Sequence, residues 1–159
     1  PGLAHRSPVR IVADGRLRLP LTSRLVRSAL EKRVIVLTRG DADEHRRAAF
    51  RDQGVELLEV PVGPDNQMDM REALRLLGEA GFTRLLVEGG ARLAASLLRD
   101  GLVDRIEWFQ APKIIGDDGY SSIGGLGIDD IALDEGFTRT ASAELGEDML
   151  TSLDVRSAP

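Results

Sequence analysis

The sequence predicts an α/β fold: a mostly parallel central sheet flanked by helices, with a C-terminal antiparallel hairpin at one edge. Three observations predict it. The run Arg33–Arg39, RVIVLTR, is continuously apolar up to its end, as expected of a strand covered on both faces. Strand-like runs alternate with runs of helical spacing through most of the chain. The last two β-rich runs, Phe137–Leu145 and Met149–Arg156, flank Gly146-Glu147-Asp148 and read as a hairpin.

The elements follow in order. Val9–Asp14 is a short β-branched run that ends at Asp14-Gly15 and reads as a strand. In LRLPLTSRLVRSA, Pro20 breaks the pattern, and Thr22 or Ser23 can cap one helical turn. Asp41–Gly54 begins with acids and ends on Gly54, which suits a helix whose dipole is complemented. Val55–Val62 is the next strand, and Gly63–Gln67 is a loop by composition. Met68–Gly81 carries Met70, Ala73, Leu74 and Leu77 at helical spacing. Arg84–Gly90 reads as a strand and turn, followed by a helix from Ala91 to Arg99. Val103–Gly116 reads as a long strand, with Pro112 marking an edge or bulge. Asp117–Asp130 is a Gly-rich loop.

Bulk properties narrow the function. A chain of 159 residues fits one domain and is long enough to bury a core. The formal net charge is -5, no basic block stands out, and there is one Trp and one Tyr, which argues against a nucleic-acid surface. With no cysteine, disulfides, thiolate catalysis and Cys-based zinc sites are excluded. His5 and His45 read as surface histidines, so no metal site is expected. No apolar run is long enough to span a bilayer and no signal-peptide pattern opens the chain, so the cytoplasm is the expected location. The chain opens on Pro1-Gly2 without Met, which suggests a processed or truncated piece of something longer.

The most informative stretch is RLLVEGGARLAASLLRDG, Arg84 to Gly101. A strand-like run ends on an acid, Glu88, and two glycines open a helix. Ligands of open α/β sheets bind at the carboxyl ends of strands. Helix N-termini present unpaired N–H groups and partial positive charge, and glycine lets a phosphate approach the backbone closely. Gly89 and Gly90 thus either clear space for a pyrophosphate or simply make a tight turn. Arg92, a cation in the first turn, opposes the dipole unless an anion is bound there; otherwise it extends into solvent. Leu93, Ala94, Ala95, Leu97 and Leu98 cover most of the helix and anchor it. Asp14-Gly15 is a plain turn or part of the ligand crevice. Thr38-Arg39 ends the central strand, where Arg39 either meets a phosphate or faces solvent. Gly124–Gly127 reads as a structural loop, and Lys113 has no resolvable role.

Together, RSPVRIVADGRLRLP, LLVEGGARLAASLLRDGLVDRIEWFQAPKIIG and their spacing resemble the reductase domain of the bifunctional riboflavin-biosynthesis deaminase/reductase, from about Pro8 to Leu153. The resemblance implies a dihydrofolate-reductase-like fold. It also implies NADPH-dependent reduction of 5-amino-6-(5-phosphoribosylamino)uracil to its ribitylamino product. Glu88 then contacts substrate, Gly15 touches cofactor, and the segment Gly90, Ala91, Arg92, Leu93, Ala94, Ala95, Ser96 wraps the cofactor pyrophosphate, with Gly89 beside it. Thr38 and Arg39 join the cofactor set. The double glycine is expected to carry unusual peptide geometry. The resemblance further implies a homodimer, a deaminase domain N-terminal to the reductase, and a reductase domain whose amino-terminal portion lies ahead of Pro1, so the 159 residues are expected to be one incomplete domain.

In that chemistry the ribosylamine opens to an imine before hydride adds to the sugar carbon. Glu88, at a strand end beside the cradle, is expected to position the amine or handle a proton. Two other readings stay open: a different reductase of a pterin or other small heterocycle on the same fold, and a non-catalytic domain that binds nucleotide or supports oligomerisation.

Overall fold

Hydrophobic demand is highest at RVIVLTR, and the computed structural model builds its first sheet around that run. The structure describes residues 7–127 and 136–156. The chain divides into two compact units, one running through Leu85 and one starting at Leu86. Pro1, Gly2 and His5, and the end of the Gly-rich loop from residue 128, lie outside the described residues.

In the first unit, β1 (Arg10–Ala13), β2 (Val34–Arg39) and β3 (Glu56–Val60) form a parallel sheet in the order β1-β2-β3. Ile11 pairs with Ile35, and Val36 with Leu57. The first five residues of β2 are buried and only Arg39 emerges, so both faces of the central strand are covered as its composition requires. Leu17, Val26, Ala29, Val34, Val36, Phe50 and Val55 form the core cluster.

Each helix of this unit starts where a short polar side chain can accept an orphan N–H. At α1 (Arg24–Arg27) the cap is Ser23 rather than Thr22, its hydroxyl accepting from the Val26 amide at 3.3 Å. At α2 (Glu44–Asp52) Asp43 accepts from the Arg46 amide at 2.8 Å. At α3 (Met70–Glu79) Asp69 accepts from the Glu72 amide at 3.0 Å. Met70, Ala73 and Leu77 make the buried stripe of α3, as their spacing predicts.

In the second unit, α4 (Ala91–Arg99) buries Ala95 and Leu97. β4 (Arg105–Gln110), β5 (Phe137–Leu145) and β6 (Asp148–Val155) form an antiparallel sheet in the order β4-β6-β5. The closing hairpin falls where the sequence places it, turning at Gly146 with φ +68°. Its register sets polar partners opposite each other: Arg105 faces Asp154, with Nη2–Oδ2 at 2.9 Å, and Glu107 accepts from the Ser152 hydroxyl at 2.6 Å.

Three expectations are corrected. Arg84–Gly90 is not a strand, and the parallel and antiparallel strands lie in two separate three-stranded sheets. Leu86 is 81% exposed and Val87 45%, so the run Leu85-Leu86-Val87 is not the buried strand its composition suggests. A strand exists only through a neighbour's ladder; without one the backbone groups of such a segment turn to water. The strand expected from Val103 to Gly116 is also shorter: it spans Arg105–Gln110, and a turn closed by the Lys113 amide on the Ala111 carbonyl at 2.8 Å follows. β4 is an edge strand of its sheet, as one reading of Pro112 expects, and its pairing ends at Gln110, before the proline.

Candidate functional site

The residues singled out in the sequence fall into two groups, one in each unit. In the first unit Gly15, Thr38 and Arg39 come together after β1 and at the carboxyl end of β2. The turn after β1 is tightly held: the Asp14 carboxylate accepts from the Leu19 amide at 2.6 Å, and the Leu17 amide donates to the Asp14 carbonyl at 3.0 Å. The Gly15 carbonyl accepts from the Arg39 amide at 3.0 Å and from the Thr38 hydroxyl at 3.3 Å. Thr38 is fully buried, so its hydroxyl positions the Gly15 turn rather than facing a ligand.

Gly15 is glycine for a steric reason. A Cβ there would lie 3.1 Å from both Cγ and Cδ of Arg39 and 3.3 Å from Cγ of Met68. The stem of Arg39 therefore lies across the Gly15 backbone, and its guanidinium is delivered to a cleft of about 660 Å³. Arg39, Gly40 and Asp41 line that cleft on one side, Glu59, Val60, Pro61, Val62 and Asn66 on the other. It stands at the carboxyl ends of β2 and β3, where a parallel sheet offers ligand sites.

Arg39 is not free in that cleft. Its Nε donates to Asp41 Oδ1 at 2.8 Å and its Nη2 to Asp41 Oδ2 at 2.6 Å, a bidentate pair. Nη1 donates to the Asn66 carbonyl at 3.2 Å and Nη2 to Asn66 Oδ1 at 3.3 Å. The Arg39 hydrogen bonds hold the Asp41 carboxyl below the usual carboxylate range, so Asp41 is an anion at neutral pH. Beneath the cleft, buried Arg47 donates to the Arg39 carbonyl at 2.6 Å and to Glu59 Oε2 at 3.1 Å, fixing the ends of β2 and β3 together.

Asp41, Asn66, Arg47 and Glu59 are not among the residues the sequence marks out. The only local signal is the Arg-Gly-Asp spacing of residues 39 to 41, since a flexible Gly40 lets side chains two apart meet. Asn66 comes from the loop before α3, where it sits at φ +60°, a conformation Asn tolerates better than most residues.

In the second unit Glu88, Gly89 and Gly90 lead into α4. Gly89 has φ +143° and Gly90 φ +97°, both in the region that favours glycine. The unusual geometry expected of the doublet therefore lies in its φ angles; no cis peptide occurs among the described residues. A Cβ on Gly89 would meet nothing within 4 Å, so the space beside it is open. Gly90 is the N-cap of α4 and brings no side-chain cap, and there is no acid in the first turn. The Ala94 amide bonds the Gly90 carbonyl at 3.0 Å, which leaves the amides of Ala91, Arg92 and Leu93 as the orphan donors of the helix start. Arg92 is exposed beside them, and Glu88 is exposed with no side-chain hydrogen bond among the described residues.

Along α4, Ala95 is buried, and Ala91, Leu93, Ala94 and Ser96 are half-buried. The loop at Gly124 returns onto that turn, its amide donating to the Ala91 carbonyl at 2.9 Å, as a structural loop does. An uncapped, positively polarised helix start with an adjacent cation and no Cβ in the way fits the diphosphate of a dinucleotide.

Known proteins resemble this chain over most of its length. The chain is 37% identical over 146 residues to the riboflavin biosynthesis protein RibD of Actinobacillus pleuropneumoniae, covering 91% of this chain and 38% of that protein. It is 33% identical over 143 residues to the 2,5-diamino-6-ribosylamino-4(3H)-pyrimidinone 5′-phosphate reductase of Archaeoglobus fulgidus, covering 85% of this chain and 63% of that one. Among solved structures, RibD of Acinetobacter baumannii superposes with a TM-score of 0.72 at 24% identity, covering 92% of this chain and 37% of that chain, and it shares the dihydrofolate-reductase-like fold. The chain thus spans well under half the length of the RibD proteins it matches. Residues 1–151, a stretch that runs through both units, match the family described as the RibD C-terminal domain. The chain belongs to the RibD C-terminal domain family, a reductase family whose chemistry implies a nicotinamide cofactor.

Proposed function

We propose that this chain is the reductase domain that converts 5-amino-6-(5-phosphoribosylamino)uracil to 5-amino-6-(5-phosphoribitylamino)uracil with NADPH. The observation that carries the reading is the start of α4: a glycine doublet at positive φ, an uncapped helix end and Arg92 beside it. Bound there, NADPH supplies the hydride. The amides of Ala91, Arg92 and Leu93 hold the diphosphate, and Gly89 and Gly90 let it approach. Arg39, in the first unit, is a separate cationic position for a phosphate. Glu88, free of internal partners among the described residues, is available to position the substrate amine or move a proton at it.

The same proposal covers the assembly: both units form one reductase domain, it works as a homodimer in the cytoplasm, and the parent protein carries a deaminase domain as well. Support comes from the family match across both units and from the greater length of the RibD relatives.

The test is to mix the full chain with NADPH and the aminouracil substrate and follow loss of reduced-nicotinamide absorbance. Glu88→Gln is expected to lower turnover about 100-fold and to leave NADPH affinity within about twofold. Unchanged turnover removes Glu88 from the mechanism; no oxidation by the unaltered protein overturns the reading. The Archaeoglobus relative favours a second substrate, the diaminopyrimidinone. Running both substrates side by side decides between them.

A further inference from the structure

The cleft at the ends of β2 and β3 holds a cation and an anion tied to each other. Arginine recognises a ribose 2′-phosphate; a carboxylate accepts from a ribose hydroxyl and repels that phosphate. Arg39 and Asp41 are these two groups, locked side-on at 2.8 and 2.6 Å.

We propose that Asp41 sets the coenzyme selectivity of this protein by competing with the 2′-phosphate of NADPH for Arg39. The inference rests on the nicotinamide-coenzyme reading above and concerns only residues of the first unit. Four observations support it. The Arg39 side chain is only 11% exposed while that of Asp41 is 66% exposed, so the cation is fixed and the acid is the partner able to leave. The stem of Arg39 is wedged over Gly15, and Asn66 holds its Nη1 and Nη2 from the far side, so the guanidinium keeps its place when Asp41 moves. Asp41 carries a full negative charge at neutral pH, as its hydrogen bonds from Arg39 dictate. The other acid of the cleft, Glu59, is engaged by Arg47, so Asp41 is the acid paired with Arg39, with Arg16 a second cation near it.

A phosphate that reaches Arg39 must therefore displace Asp41, and a 2′-hydroxyl need not. The consequence is weak discrimination: NADH binds nearly as well as NADPH, because Asp41 penalises the phosphate and accepts from the hydroxyl.

The test is calorimetric titration of the full chain with NADPH and with NADH, without substrate. Asp41→Ala and Asp41→Asn are both expected to tighten NADPH about five- to tenfold, with NADH unchanged or weaker, and the gain is expected to shrink at high salt. In an Arg39→Ala background the same Asp41 changes are expected to shift the ratio by less, since only the direct repulsion of the phosphate is then relieved. If Asp41 removal leaves the NADPH-to-NADH affinity ratio within twofold, or weakens NADPH as much as NADH, the inference is overturned while the nicotinamide reading stands. If the unaltered protein binds neither coenzyme, both fall together.

Discussion

Gly15 and Gly90 show how one missing methyl group matters for two different reasons. At Gly15 the constraint is contact: a Cβ would press on Cγ and Cδ of Arg39 at 3.1 Å. Gly15→Ala is expected to cost about 1–3 kcal/mol as overpacking and to swing Arg39 out of line with Asp41; denaturant melts check the first effect and NADPH titration the second. At Gly90 the constraint is backbone, since φ +97° is costly for any residue with a Cβ. Gly90→Val is expected to weaken NADPH binding by at least about tenfold, with strain on the order of 1–3 kcal/mol at the site; equal affinity by calorimetry refutes the proposed cradle. The glycine doublet was legible because both glycines interrupt an otherwise stiff pattern. The Arg39–Asp41–Asn66 cluster was not, because Asn66 comes from a loop 27 residues away and only the folded chain makes the triad.

At the scale of elements, the readable segments are those whose own residues settle their environment. β2 is apolar on both faces and is buried on both faces. α3 buries Met70, Ala73 and Leu77 of the residues its spacing selects, and α4 buries Ala95 and Leu97, leaving Leu74, Leu93, Ala94 and Leu98 half-buried. Ser23 was one of the two caps the sequence offered; Asp43 and Asp69 also close helix starts, but they lie inside runs that read simply as helix. Asp43→Ala and Asp69→Ala are each expected to cost about 1 kcal/mol, whereas Phe50→Ala, which empties a fully buried site in the core, is expected to cost about 3–5 kcal/mol; urea denaturation of the three variants tests that ranking. Arg84–Val87 was misread because a strand is a property of a pair. Its three apolar residues satisfy the composition of a strand, but ladder partners are set by distant segments.

For the molecule as a whole, the fold class was legible from the alternation of elements, while the division into two units was not, since contact density is not written in local pattern. Surface electrostatics give one global expectation. Hydrogen bonds from arginines hold Asp41, Glu56, Glu72 and Asp154 below the ordinary carboxylate range. A depressed carboxylate stabilises the folded state above its ordinary pKa, and that contribution is lost as pH falls through the depressed value. Thermal stability is therefore expected to be level near neutrality and to decline below about pH 4, with a shallow slope because these pairs face solvent; melts across an acid series check it.

The run from Arg84 to Val87 has a practical consequence. Peptidases bind their targets as unpaired backbone, and this exposed stretch belongs to no helix or strand and spans the point in the sequence where the two units divide. Trypsin at low dose is expected to nick first after Arg84, ahead of the many arginines held in helices, and a digest that begins elsewhere shows that this connector is shielded in solution.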